Sequence, residues 1–179
     1  MLHYMSTRTP QVFATLYLIL NISLVAQQAA TTNVPLGKEA ELRLVGPQHE
    51  PITLKLADVK AMPHLTITIH DSHSNADESY SGVRVSDLLA KVGAPLGGGL
   101  RGKALAHYIV ANGSDGYQTV LAIAEVVPEF HPGEVLVADA MDGKALDAHS
   151  GPLKLVVTED KLPARSVRNL VQIELKAAP

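Results

Sequence analysis

A chain of 179 residues with 46 % hydrophobic and 18 % charged side chains carries enough apolar surface to offset its conformational entropy, which excludes a disordered segment. It contains no cysteine, which excludes disulfides, thiolate metal sites, iron–sulfur clusters and thiol nucleophiles. With 15 Lys and Arg against 18 Asp and Glu, and no basic run, it has no electrostatic footprint for nucleic acid.

Arg8 precedes an apolar stretch from Val12 to Ala26 that is broken only by Thr15, Asn21 and Ser23, and the first acidic residue is Glu39. A basic start, a short apolar centre and small residues after it predict a secretory signal peptide over residues 1–29, cleaved after Ala26 or Ala29. The stretch is shorter than the roughly 20 residues that span a bilayer. The sequence therefore predicts an exported protein, periplasmic or extracellular, with no stable membrane span after cleavage. Residues 30–40 read as a small, polar linker and residues 41–179 as one domain.

Glu41–Val45 (ELRLV) and Ile52–Leu56 (ITLKL) alternate polar and apolar residues, the period of half-buried strands. Asp58–Met62 allows at most one helical turn before Pro63. Leu65–Ile69 (LTITI) is a β-branched strand, His70–Ser79 reads as a polar loop, and Tyr80–Val83 as a short return strand. Ser86–Val92 predicts a helix with Ser86 as N-cap and Gly93 as its stop. Ala104–Ala111 is a nearly continuous apolar run, expected as a strand buried on both faces, with Asn112–Gly116 a turn and Gln118–Ile123 its partner. Ala124–Phe130 reads as a short helix, and Glu134–Ala138, Leu153–Thr158 and Leu170–Leu175 as strands, with hairpin-turn chemistry at Asp142-Gly143. Many short strands, few short helices and no βαβ rhythm predict a β-rich α+β domain.

Most local motifs fail on context. Gly97, Gly102 and Lys103 fit G-x-x-x-x-G-K, but a helix precedes them, a strand follows, and Ala104 takes the hydroxyl position, so they read as a helix-to-strand loop. Ser114 lacks the flanking glycines of a nucleophile elbow. His107 interrupts an apolar strand and reads as a hydrogen-bonded core histidine rather than a ligand. His70, Asp71 and His73 (IHDSH) put two imidazoles and a carboxylate in one short segment, a donor set for a divalent metal such as zinc or copper but an incomplete one.

From Tyr80 to Leu175 the chain resembles the oxidoreductase molybdopterin-binding domain, the central fold of sulfite oxidases. The segments YSGVRVSDLLAKVGAP (80–95), SDGYQTVLAIAEV (114–126), MDGKALDAHSGPLKLVV (141–157) and LPARSVRNLVQIEL (162–175) are similar to the family's in order and spacing. The resemblance implies a sulfite oxidase-like mixed-sheet α+β fold, molybdopterin as a possible cofactor and an oxidoreductase-type domain. It implies a pterin pocket lined by the late segments. His149 matches the family's H-G histidine, with Ser150 in place of the glycine, and Lys154 stands where Arg is usual. Arg165, Ser166 and Arg168 fall in the region that meets the pterin's phosphate end, and Asn169 replaces a frequent Trp. Guanidinium groups and turn N–H donors suit a phosphate monoester.

Members of this family also hold molybdenum through one protein cysteine at the end of the strand before the G-V-x-L segment. The corresponding stretch is LTITIHDSHSN, with His70 at or beside that position. Imidazole is neutral and a harder donor than thiolate, so oxygen-atom transfer by the family route is not expected. The sequence thus predicts an exported domain of this type without a competent molybdenum centre. Its expected partners are a pterin-like or other small anionic ligand, or a redox protein. The alternative is a divalent-metal site made by His70, Asp71 and His73 on the same fold.

Overall fold

Alternation decides the first strand: Leu42 and Leu44 are fully buried while Glu41 and Arg43 face out, as the period of two requires. The computed structural model describes residues 39–71 and 75–179, so the expected signal peptide and most of the linker lie outside the described residues. Among the described residues, ten strands form two five-stranded sheets. In the first, β1 (Glu41–Val45), β2 (Ile52–Lys55), β5 (His107–Gly113), β6 (Gln118–Ala122) and β10 (Leu170–Ala177) run in the order β2-β1-β10-β5-β6. Only β1 and β10 pair in parallel, which makes this sheet mixed. The second sheet is antiparallel and contains β3 (Leu65–Asp71), β4 (Ala76–Arg84), β7 (Val135–Met141) and β8 (Lys144–Ala145), with β9 (Lys154–Val157) pairing β7. The predicted β-rich α+β class is the class observed.

Two short helices complete the fold. α1 spans Leu56–Lys60, two residues ahead of the expected turn, because the Asp58 carboxylate accepts the Lys55 N–H at 2.9 Å and opens the helix there. α2 spans Val85–Ala90, and its N-cap is Arg84 rather than Ser86. The reason is periodicity: Val85, Leu88, Leu89 and Val92 are all fully buried, and this i, i+3, i+4, i+7 stripe pulls Val85 into the helix. Arg84 instead donates from Nε and Nη2 to Glu134 at 2.9 and 2.8 Å. Gly93, with φ +70°, stops the helix as expected, and His49 packs so close that any Cβ there would strike the imidazole.

Two other expectations are corrected. The polar run 70–79 is largely strand, since β3 continues through Asp71 and β4 begins at Ala76, with His70 paired to Asp77. Backbone pairing tolerates polar side chains wherever a strand faces water, so polarity alone did not mark a loop. Ala104–Ala106 form part of a 3-10 turn, and β5 buries only alternate residues, Ile109, Ala111 and Gly113. His107 Nδ1 lies 2.9 Å from Ala104 O, the hydrogen-bonded role expected of it. Asp142-Gly143, both at positive φ, form the predicted tight turn between β7 and β8.

The main core draws on both sheets and α2: Leu42, Leu44, Ile109, Ile173 and Leu175 from the first, Val83, Val135, Val137 and Leu155 from the second, with Leu88 and Leu89. A smaller cluster on the second sheet joins Tyr80, Ala138 and Val156 to Ile67, Ile69, Met141 and Leu146. Between these clusters β7 carries a bulge. Ser81 pairs Ala140 and Gly82 pairs Ala138, leaving Asp139 as the extra residue. Asp139 is only 6 % exposed and is met by the His64 imidazole, whose Nε2 lies 3.1 Å from Oδ2 while Nδ1 lies 2.7 Å from Met62 O. Gly82 opposes the bulge so closely that an added Cβ would sit 2.2 Å from Val137 O and 2.5 Å from Ala138 Cα.

Burial opposes the charged form of His64, but its bonds to Met62 O and Asp139 outweigh that and raise its pKa above 6.5. A group whose folded pKa is raised adds stability that is fully present below its unfolded value and is lost as pH rises through the folded one. Urea unfolding should therefore show stability falling as pH rises above about 6.5, with the fall flattened in His64→Gln. The backbone contact at Gly82 predicts a second effect. Gly82→Ala should cost about 2–3 kcal/mol, read in the same urea titration, because only main-chain movement can relieve the overlap.

Candidate functional site

The second sheet presents polar groups to a cleft of about 660 Å³. β3 and β4 supply Ile69, His70, Asp71, Glu78 and Tyr80; β9 supplies Lys154; and the loops supply Asp115, Tyr117, Asp147, Ser150, Ser166 and Arg168. Glu78 and Tyr80 stand two residues apart on β4 and so share a face. Lys154 enters from two strands away, because Ala138 of β7 pairs both Lys154 and Gly82 and puts only a methyl group between them.

These three residues form one hydrogen-bonded chain. Lys154 Nζ donates to Tyr80 Oη at 2.6 Å, and Tyr80 Oη donates to Glu78 Oε2 at 2.7 Å. Tyr80 is 1 % exposed, and burial together with the Glu78 contact pushes its phenol well above the usual range. Burial holds the Lys154 ammonium below its ordinary value; Glu78 pulls the other way and Arg168 adds to the lowering. Among the described residues no carboxylate lies within ion-pair distance of Lys154 or Arg168. Arg168 Nη1 makes a short hydrogen bond to His149 Nε2. Guanidinium has no acceptor, so His149 must accept there as a neutral ring.

Of the residues expected from sequence, His70, Asp71, Lys154, Ser166 and Arg168 line this cleft together. His149 is exposed and reaches the cleft only through Arg168, while its carbonyl accepts Asn169 Nδ2 at 3.1 Å. Arg165, expected among the cofactor-binding residues, is not among the residues that line the cleft and makes ion pairs beside it. It donates to both Asp160 oxygens at 2.9 and 2.5 Å and to Glu125 at 2.7 Å, which uses both edges of its guanidinium and holds its charge on firmly. His73 lies outside the described residues, and among those described no group of three or more His, Asp or Glu could hold a metal ion. Sequence reading missed Glu78 and Tyr80. The available signal was their i, i+2 spacing on a strand, where both project to one side.

The chain has the α+β architecture of molybdopterin-binding oxidoreductase domains, and comparison with known proteins agrees. Among solved structures it is similar to the sulfane dehydrogenase SoxCD from Paracoccus pantotrophus, with a TM-score of 0.61 and 19 % identity over 78 % of this chain and 39 % of that one. That likeness establishes the fold, and the chain spans about two-fifths of the length of the chain it matches. No curated protein matches the sequence. The family model for the oxidoreductase molybdopterin binding domain matches residues 31–179, extending the likeness beyond Tyr80–Leu175 to include β1, β2 and β3, and the chain belongs to this family. Among the described residues no helix is long and apolar enough to cross a membrane.

The cleft does not fit the family's thiolate-anchored metal. His70, expected at or beside that position, has its Nδ1 2.8 Å from Asp77 Oδ1, and the chain contains no cysteine. The wider lining also counts against a large polyanion, since Asp71, Glu78, Asp115, Asp147, Glu159 and Asp160 face only Lys154, Lys161 and Arg168. Among the described residues, the lysines and arginine of the lining without a carboxylate partner are Lys154, Lys161 and Arg168, of which Lys154 and Arg168 hydrogen-bond to Tyr80 and His149. The Arg165 assignment is tested by a double-mutant cycle of Arg165→Ala with Asp160→Ala. A coupling of about 1–2 kcal/mol in urea unfolding is expected of a buttress, and additive effects would return Arg165 to the ligand.

Proposed function

We propose that this protein is an exported member of the family that works without a thiolate-held molybdenum centre and binds a small, oxygen-rich anion in the cleft. One observation carries the reading: Lys154 and Arg168 line the same cleft, and each has only a neutral hydrogen-bond partner. Two cations left in that state gain most from an anion that brings its own charge. Ser166 and the Ser150 turn supply further polar groups at the same place. Such an anion is pterin-like or smaller, and the exposed Arg168 edge of the cleft is open to a redox protein bringing it.

The test has two parts. Protein purified from its native compartment should contain no stoichiometric molybdenum, measured by elemental analysis. Titration with inorganic sulfate or phosphate should give saturable binding that weakens about tenfold, or about 1.4 kcal/mol, in Lys154→Met and in Arg168→Ala. Stoichiometric molybdopterin with turnover of sulfite or a sulfoxide would overturn the proposal.

A second reading rests on His70 and Asp71 lining this cleft, with Asp77 on the His70 Nδ1 in the outer-sphere position that orients metal-binding imidazoles. It ranks below the first because the Asp77 bond, against a small opposing effect of burial, raises the pKa of His70, so a metal must displace a proton. Calorimetric titration with Zn²⁺ and Cu²⁺ decides it: equal affinity in wild type and His70→Ala removes this reading.

A further inference from the structure

We propose that Lys154 is a Schiff-base lysine and that the cleft takes small 2-oxo carboxylates, holding the carboxylate at Arg168 while the 2-oxo carbon condenses with the Lys154 amine. This rests on the reading that the cleft takes a small anion, and it names the class of that anion.

Three arrangements carry the inference. First, Lys154 is half-buried, lines the cleft, and has the Tyr80 hydroxyl as its hydrogen-bond partner. A lysine kept for its charge alone is met by a carboxylate, whereas one kept for its nitrogen is desolvated and sits near another cation. Arg168 lines the same cleft and, with burial, works against the ammonium form. Second, condensation needs a place for the ammonium proton to go and a donor for the departing oxygen. Tyr80 Oη lies 2.6 Å from the amine and 2.7 Å from the Glu78 carboxylate, so a proton can pass from nitrogen through the phenol to Glu78 and return. Third, Arg168 is bonded to a neutral imidazole and keeps its full charge for a carboxylate.

The step balances without oxidant or reductant. The ammonium gives one proton to Glu78 through Tyr80, and the neutral amine adds to the 2-oxo carbon, forming the N–C bond. The carbinol oxygen takes back the Glu78 proton and one hydrogen from nitrogen and leaves as water, breaking the C–O bond. The product is the protonated imine on Lys154, and Glu78 is again a carboxylate.

The experiment is reductive trapping of the full-length protein with pyruvate or glyoxylate and cyanoborohydride, read by intact mass and peptide mapping. One adduct per chain is expected, mapped to Lys154 and suppressed by inorganic sulfate. Lys154→Arg should lose it while keeping the wild-type circular dichroism spectrum. Tyr80→Phe, which keeps the ring and removes the relay, should slow trapping by at least about tenfold. Adducts spread evenly over surface lysines, or undiminished in Lys154→Arg, would overturn the proposal from wild-type mapping alone. Propanal trapping Lys154 as fast as glyoxylate, both being aldehydes, would overturn the carboxylate assignment. Sulfate binding with no trapped adduct would overturn the nucleophilic lysine and leave the anion-binding proposal standing.

Discussion

A lysine ammonium set against the second sheet with a phenol for its hydrogen-bond partner is the constraint around which this site is built. Taking a charge out of water costs several kcal/mol unless other groups compensate it. Here the compensation is indirect: Tyr80 accepts from Lys154 and passes its own proton toward Glu78. The arrangement works only if three residues on two non-adjacent strands keep their relative positions to within hydrogen-bond tolerance. The tight middle strand serves that end. Ala138 is fully buried and small, so the Lys154 stem can cross β7 to reach β4. A larger side chain at Ala138 would stand between amine and phenol.

The bulge at Asp139 and the close approach at Gly82 are the backbone side of the same constraint. A bulge adds a residue to one strand and so changes which side chains share a face beyond it. On β7 it lets Val137 join the main core while Ala138 and Met141 both join the smaller cluster around Tyr80. The cost is a nearly buried carboxylate, and the structure answers it with an imidazole from the segment that leads into β3. His64 and Asp139 are 75 residues apart in sequence, so the pair also ties the start of one edge strand to the centre of the sheet. Stability and site geometry are thereby coupled through one strand: whatever loosens β7 also moves the lysine.

Much of the architecture was readable because burial alternates where it should. The β1 pattern, the Asp142-Gly143 turn and the Gly93 stop all follow from local chemistry, and each stands where the residues put it. What was not readable depended on long-range partners. Residues 70–71 and 76–79 are polar where β3 and β4 face solvent and a cleft, and only the pairing of those two strands makes them strand. Ser86 looks like a cap until Val85 is known to be fully buried. For the site, the resemblance placed Lys154, Ser166 and Arg168 in one pocket, and they do share it. It did not reveal the ion pairs of Arg165, whose partners are Asp160, five residues away and visible in sequence, and Glu125, 40 residues away and not. Tyr80 was hidden for a different reason: an aromatic residue in a strand reads as core, and only the lysine from β9 gives its hydroxyl a role.

The relation between the family and this chain turns on which functional group meets the ligand. A metal held by sulfur can carry electrons and oxygen atoms; an amine beside a phenol can carry only protons and carbon. This chain has given up the first set of atoms entirely, since it lacks any cysteine. Lys154 and Arg168 line its cleft, groups suited to recognising charge. An anion pocket needs only donors at the right spacing, so it can outlast the loss of the metal ligand. Under the proposed function, the residue that meets the anion would decide what happens to it. Arginine there would hold it and do nothing more, because guanidinium stays protonated. Lysine, desolvated and hydrogen-bonded to a buried phenol, has both a lone pair within reach and a path for the proton that covers it. The difference between a binding domain and a reactive one therefore comes down to a single nitrogen on β9 and the two side chains of β4 that handle its proton.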